Sequence, residues 1–139
     1  MFRGQSEVSI DDKNRLTIPS KFREELGEVC FVTRGSDNCK CLSVFSQEKY
    51  AAFENNLKKF PSKTQRFFIS FTHECSTDRQ GRILLTPELI ECAGLGKDVV
   101  VTGILNRLEI WDKQNWENYN DSSSFTQDEI AAQSELFDF

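Results

Sequence analysis

Asp11 and Asp78 each stand four residues ahead of an arginine, Arg15 and Arg82, and each arginine opens an apolar stretch that ends at a proline. The two segments read Asp11-Asp12-Lys13-Asn14-Arg15-Leu16-Thr17-Ile18-Pro19 and Asp78-Arg79-Gln80-Gly81-Arg82-Ile83-Leu84-Leu85-Thr86-Pro87. The chemistry of such a pair is recognition. A guanidinium is a planar fork that pairs bidentately with a phosphate or with guanine O6 and N7, and a nearby carboxylate can hold it at the required angle. The plainer alternative is an ion pair that only shapes a turn. An exposed pair of that kind contributes little to stability, which does not account for its presence in two otherwise diverged segments. The two roles are compatible, with the aspartate as buttress and the arginine as contact.

Other chemistries find less support. His73 is the sole histidine and has no Ser/Asp arrangement tied to it. The glycines are scattered turn and cap residues rather than a phosphate-cradling loop, and the carboxylates form no acid/base pair. The residues point to a protein that is not an enzyme and needs no cofactor. Five cysteines, Cys30, Cys39, Cys41, Cys75 and Cys92, are an odd number, unlike a secreted disulfide framework. Cys39-Lys40-Cys41 invites a metal reading. Zinc sites, however, call for paired Cys/His elements, and the corresponding turn of the second segment has no cysteine, so these read as free thiols and no metal is expected.

The repeat extends beyond the charged residues. Phe22–Gly27 has its counterpart in Leu89–Gly94, Val29–Thr33 in Val99–Thr102, Leu42–Phe45 in Leu108–Trp111, and Tyr50 in Trp116, at offsets near 67 residues. Two halves this short suit duplication within one unit better than a solenoid. Each half predicts strand, tight turn, strand, short helix, strand, turn, strand. Glu7–Ile10 alternates as a half-buried strand. Asn14 and Gly81 occupy the same place in the two turns, and both tolerate the positive φ of a tight hairpin. Pro19 ends the return strand. Ser20 and Thr86 are the expected N-caps of the short helices, with Pro87 at the first helical position and Gly27 and Gly94 closing them.

Ser46 opens an amphipathic helix whose stripe is Tyr50, Phe53, Leu57 and Phe60, and Pro61 stops it. Ser62–Phe71 predicts a second helix, with a strand as the alternative near Arg66–Ile69. Residues 72–77 enter the second half as a strand, a helix runs from about Asp112 to Tyr119, and residues 120–124 read as a polar linker. The division is 1–60, first repeat with its helix; 61–72, linking helix; 73–119, second repeat; 120–139, a flexible acidic tail or weak docking helix. Phenylalanines at helical spacing are core or subunit interface before they are base-stacking platforms, and the excess over what two small barrels can cover reads as oligomer interface.

The formal net charge of −5 looks wrong for a nucleic-acid binder, but its distribution matters more than its sum. Residues 112–139 hold seven acidic groups and one lysine, which leaves the preceding body with 16 basic against 15 acidic. Within it, Lys49–Arg66 carries five basic residues and only Glu54, and Lys13, Arg15, Lys21 and Arg23 gather beside the first turn. Low non-specific affinity and strong salt sensitivity follow. No apolar run reaches the roughly 20 residues of a membrane span, and the N-terminus lacks a signal-peptide pattern. The chain reads as soluble and cytosolic.

Met1-Phe2-Arg3-Gly4, the first motif with Pro19 and Phe22-Arg23, then Gln65-Arg66-Phe67-Phe68, then the second motif with Pro87, resemble in that order the MraZ family, bacterial regulators encoded at the head of the division and cell-wall gene cluster. The resemblance runs from Met1 to about Trp116. It implies an α+β fold, an AbrB-like swapped-hairpin β-barrel in which the two repeats of one chain interlace. It also implies ring-shaped homo-oligomers, commonly octamers, binding double-stranded DNA at repeated boxes in the promoter of their own operon and usually repressing it, in the cytoplasm and nucleoid. Carried onto this chain, Arg15 and Arg82 are the DNA contacts, Asp11 and Asp78 their orienting carboxylates, Lys13 and Arg79 candidates for phosphates, and Arg3 a further one. Asn14 departs from the usual glycine, and Arg79-Gln80 inverts the usual weight of charge in the second turn. Rival readings are an oligomeric protein-interaction scaffold, or an AbrB-type antitoxin, whose chains usually carry one such motif and a toxin-wrapping tail.

Overall fold

Turn chemistry sets the first contacts. Asn14 and Gly81 adopt φ of 61° and 75°, and around them each Asp-x-x-x-Arg segment closes on itself. Asp11 N–H donates to Arg15 O at 2.9 Å and Asn14 N–H to Asp11 O at 3.0 Å, while Asp78 N–H and Gly81 N–H make the same bonds at 3.0 Å in the second copy. The structure, a computed structural model, describes residues 1–36, 40–122 and 127–137.

The strands are β1 (Phe2–Ser9), β2 (Arg15–Thr17), β3 (Val29–Arg34), β4 (Cys41–Ser46), β5 (His73–Ser76), β6 (Arg82–Leu84), β7 (Asp98–Leu105) and β8 (Leu108–Asp112). The helices are α1 (Ser20–Leu26), α2 (Gln47–Leu57), α3 (Ser62–Ile69), α4 (Pro87–Ala93), α5 (Lys113–Ser122) and α6 (Gln127–Phe137). The fold is mixed α+β. Six strands form one antiparallel sheet in the order β1-β7-β8-β4-β3-β5, and β2 pairs with β6 in a separate ribbon. The pairings cross between the repeats. β1 of the first lies on β7 of the second, β5 of the second lies on β3 of the first, and each half contributes one ribbon strand.

One apolar cluster takes Leu16, Ile18, Phe22 and Leu26 from the first repeat and Ile83, Leu85, Leu89 and Ala93 from the second. Outside it, aromatic rings seat the longer helices. Tyr50 of α2 stacks on Phe31 with centroids 4.1 Å apart, Phe53 stacks on Phe45 at 5.0 Å, and Phe68 of α3 meets Phe53 edge-on at 5.4 Å. In the second repeat Trp116 of α5 meets Trp111 at 5.4 Å, so the matched positions Phe45/Trp111 and Tyr50/Trp116 have the same task.

Several expectations shift. β1 begins at Phe2, five residues before the predicted strand. α2 ends at Leu57, so Phe60 leaves the stripe and is exposed. The second helix forms as expected, through residues 66–69 where a strand was the alternative, and ends at Ile69 rather than Phe71. α5 continues through residues 120–122, into the segment expected to be a polar linker. The two short helices start differently: Thr86 Oγ1 accepts Leu89 N–H at 3.2 Å, whereas Ser20 is itself helical, behind Pro19, and caps nothing. Thr86→Ala is therefore expected to cost about 1 kcal/mol in urea denaturation, and Ser20→Ala nearly nothing.

Candidate nucleic-acid interface

The ribbon pairs Arg15 with Leu84, Leu16 with Ile83 and Thr17 with Arg82. Residues opposed across an antiparallel ladder share a face, and neighbours along a strand alternate faces. Leu16 and Ile83 therefore point inward together, where both are buried, and Arg15, Thr17, Arg82 and Leu84 point outward together. The ribbon is lengthened at both ends by matched bonds, Ile18 N–H to Gly81 O and Leu85 N–H to Asn14 O, each 2.9 Å. Arg15 and Arg82 are thus diagonal neighbours on one outer surface, about 7–8 Å apart across the ribbon.

Each arginine is held by its own turn. Asp11 Oδ2 accepts from Arg15 Nε at 2.7 Å, and Oδ1 accepts the backbone N–H of Arg15 at 2.8 Å and of Lys13 at 2.9 Å. Asp78 repeats this, Oδ2 taking Arg82 Nε at 2.7 Å and Oδ1 taking Arg82 N–H and Gln80 N–H at 2.9 Å. Gripping Nε sets the plane of the guanidinium while leaving its terminal Nη1/Nη2 fork directed away from the carboxylate. The arginine side chains retain 33% and 26% of their accessible surface. A guanidinium oriented in this way has already given up the rotamer freedom that binding would otherwise remove.

The same bonds set the carboxylate acidities. The backbone N–H of Arg15 above all, then the Arg15 side chain and the Lys13 N–H, hold Asp11 below its ordinary 3.8, with desolvation opposing them. Asp78 is lowered likewise by Arg82 N–H, the Arg82 side chain and Gln80 N–H. A depressed carboxylate contributes its stabilisation above the unfolded value of 3.8 and loses it as pH falls through the lower folded value. NMR titration of the carboxyl carbons should find both aspartates more than half ionised at pH 3.8 and the turns intact throughout the neutral range.

Lys13 and Arg79 are exposed in the two turns, beside the outer face. Arg3 is exposed on β1 opposite Ile104, eight residues before Asp11 and so roughly 26 Å of extended strand from the first turn. Along β1 it therefore stands well away from the first turn. The structure also divides the basic group seen around the first turn. Lys21 Nζ donates to Gln5 O at 2.9 Å and lies over the Phe22 ring. Arg23 instead reaches the second turn: its Nε donates to Ile18 O at 2.8 Å, and a Cβ built on Gly81 would meet that Nε at 2.5 Å. Gly81 is favoured by its positive φ, and a side chain there would have to displace the Arg23 guanidinium. Arg23 is the cation that sequence reading assigned to the wrong turn. The signal was available in the repeat, where its counterpart is the apolar Ile90 and the glycine's counterpart is Asn14.

Cys39 lies outside the described residues, among which no group of three or more His, Cys, Asp or Glu side chains is arranged to hold a metal ion. No helix among them is long and apolar enough to cross a membrane.

Fold and surface together define a class, an internally repeated α+β protein that offers an oriented pair of arginines from a two-stranded ribbon. The family model described as "MraZ protein, putative antitoxin-like" matches residues 1–66 and 68–138, and the chain belongs to this family. It is 44% identical to the transcriptional regulator MraZ of Alkaliphilus metalliredigens (strain QYMF) over 137 residues, 94% of each chain. It is 43% identical to the transcriptional regulator MraZ of Clostridium tetani (strain Massachusetts / E88) over 129 residues, 88% of this chain and 89% of the relative. A relative of the same name in Caldicellulosiruptor saccharolyticus (strain ATCC 43494 / DSM 8903 / Tp8T 6331) is 40% identical over 141 residues. The name these relatives share is that of a regulator of transcription, which is not an enzyme class.

Proposed function

We propose that this protein is a sequence-specific DNA-binding transcriptional regulator whose β2–β6 ribbon enters the major groove. The observation that carries the reading is the presentation of Arg15 and Arg82 on one outer face, each gripped at Nε with its terminal fork open. A major groove about 12 Å wide admits a two-stranded ribbon, and an arginine fork there matches guanine O6 and N7. Lys13, Arg79 and Arg23 lie around the turns, in reach of phosphates that position the ribbon without reading sequence. In this reading the crossed pairings are those of an AbrB-like swapped-hairpin barrel, with both repeats supplying one binding edge. One ribbon makes few contacts. A ring of protomers, octameric in the family pattern, engages several promoter boxes at once and gains affinity through effective concentration. Exposed Phe60, Phe67 and Ile69 on and beside α3 are the apolar surface from which such a ring is built. The regulated promoter is its own operon's, the sign is repression, and the protein works in the cytoplasm at the nucleoid.

The test is a salt titration of binding to DNA from its own upstream region beside scrambled DNA of equal length. Tight binding to the native fragment with a steep fall of log affinity against log salt supports a sequence reader. Equal, weak binding to both fragments overturns it. The same exposed aromatic residues would then favour the second reading, a ring that serves as a protein-interaction scaffold.

A further inference from the structure

Cys30 and Cys75 face each other directly across β3 and β5, one from each repeat. Both are reduced and buried, Cys30 completely and Cys75 to within 8%. The repeat supplies an internal comparison. The residue matching Cys75 is Val8 and the residue matching Cys30 is Val99, and Val8 pairs with Val99 across β1 and β7. An apolar pair therefore satisfies the same position in the other half, and packing alone does not call for two thiols.

Geometry favours a bond between them. Directly opposed residues of an antiparallel ladder have Cα atoms about 4.5–5.5 Å apart, within the roughly 4.4–6.8 Å that a disulfide spans. Access is also unequal in a useful way. β5 is an edge strand of four residues, paired in the sheet only with β3, the kind of element that opens locally before the whole protein unfolds. The Cys75 sulfur sits 3.7 Å from Leu84 O and 3.9 Å from His73 O, its S–H a weak donor to both. Cys75, on the edge strand, is the more exposed of the two, and its contact with Cys30 pushes the Cys30 thiol up while holding the Cys75 thiol below its ordinary 9.0, so Cys75 is the sulfur that meets an oxidant first.

We propose that Cys30 and Cys75 are a reversible thiol–disulfide pair, a modification site oxidised by hydrogen peroxide, whose bond staples the first repeat to the second just ahead of the Asp78 turn. The Cys75 thiolate attacks one peroxide oxygen and breaks the O–O bond. This gives a sulfenic acid and hydroxide, which takes up the proton the thiol had released to become water. The Cys30 sulfur then attacks the sulfenic sulfur. The S–S bond forms, the S–O bond breaks, and the leaving hydroxyl departs with the Cys30 proton as a second water. Each sulfur is oxidised by one electron, and the peroxide is reduced to two waters. A dithiol reductant reverses the change. Because Ser76 and Thr77 lead straight into Asp78, and Thr77 N–H already bonds Glu28 O at 2.8 Å, the staple anchors the root of the second hairpin.

The experiment treats the full-length native protein with hydrogen peroxide, blocks remaining thiols under denaturing conditions, and maps peptides by mass spectrometry without reduction. No DNA is involved, so its failure would be distinct from failure of the DNA-binding reading. The expected result is a Cys30–Cys75 cross-linked peptide, two hydrogens lighter than its reduced parts, that disappears with dithiothreitol. The Tm should rise by roughly 5–10 °C on oxidation. The double variant Cys30→Val/Cys75→Val, which copies the Val99/Val8 pair, should fold normally and show no peroxide-dependent change in Tm. Recovery of both cysteines as blocked thiols while Cys92 is oxidised, or a disulfide joining other cysteines, would overturn the proposal.

Discussion

Replacing Arg15 and Arg82 together by alanine is expected to abolish binding to the upstream DNA while leaving the Tm within a few degrees of the parent. Each single replacement should weaken binding by roughly 10- to 100-fold, the range for one oriented arginine on a base edge. Each should also reduce the slope of log affinity against log salt by about 1 if its partner is a phosphate. Neither guanidinium contributes to the apolar cluster, and each ion pair lies at the surface, so the fold has little to lose. Asp11→Ala should do something different. Arg15 keeps its charge but loses the grip on Nε, and the turn loses the acceptor for two backbone N–H groups. Affinity then falls because the fork must be ordered on binding, with the salt slope retained. Anisotropy titrations at several salt concentrations separate the two outcomes. If Arg15→Ala instead broadened or divided the unfolding transition, the pair would be a turn brace and the ribbon would lose its assigned role.

The parts of this fold that were legible in sequence are those governed by neighbouring residues. Asn14 and Gly81 marked the hairpins because both accept positive φ, and the structure puts both there. The Val29–Thr33 segment, a β-branched and aromatic run closely followed by Gly35, falls within β3. Less readable were features that depend on distant chain. The first half of β1 escaped notice because Arg3, Gly4 and Gln5 are all exposed and Ser6 only half-buried, so no hydropathic alternation marks it. A Cβ on Gly103, the partner of Gly4, would meet Arg3 N at 2.4 Å and Phe2 C at 2.7 Å, so two backbones approach there with room for nothing more. Phe60 satisfied the helical spacing but precedes Pro61, whose ring disfavours helical geometry at the residue before it. Arg23 was assigned by its neighbours along the chain, while the crossed pairing of the repeats carried it to the other turn. The outward arginines were legible from the motif, but their common face required the β2–β6 register, which no single stretch of sequence specifies.

Ile83→Ala is the matching experiment on the underside of the same ribbon, and its effect should be opposite in kind. Ile83 is 1% exposed and faces Leu16, which is fully buried. Truncating it removes apolar surface from the seam where the two repeats meet and leaves a cavity that the short strands β2 and β6 can only partly close. The expected cost is about 2–5 kcal/mol, a large share of the roughly 5–15 kcal/mol that holds a domain folded, with a fall in Tm of about 10 °C. Binding measured well below the new transition should remain within a few-fold of the parent, because Arg15 and Arg82 stay on their turns. Leu84→Ala, one residue along on the outer face, is the control. That side chain is 60% exposed, so stability should hold within about 0.5 kcal/mol. Within three residues of β6, the pleat assigns Arg82 to contact, Ile83 to cohesion and Leu84 to neither core nor turn. A one-residue slip of the ribbon would exchange those assignments. Urea melts and anisotropy titrations of Arg82→Ala, Ile83→Ala and Leu84→Ala therefore test the register itself: stability lost at the outer positions and kept at Ile83 would mean that β6 presents its other face.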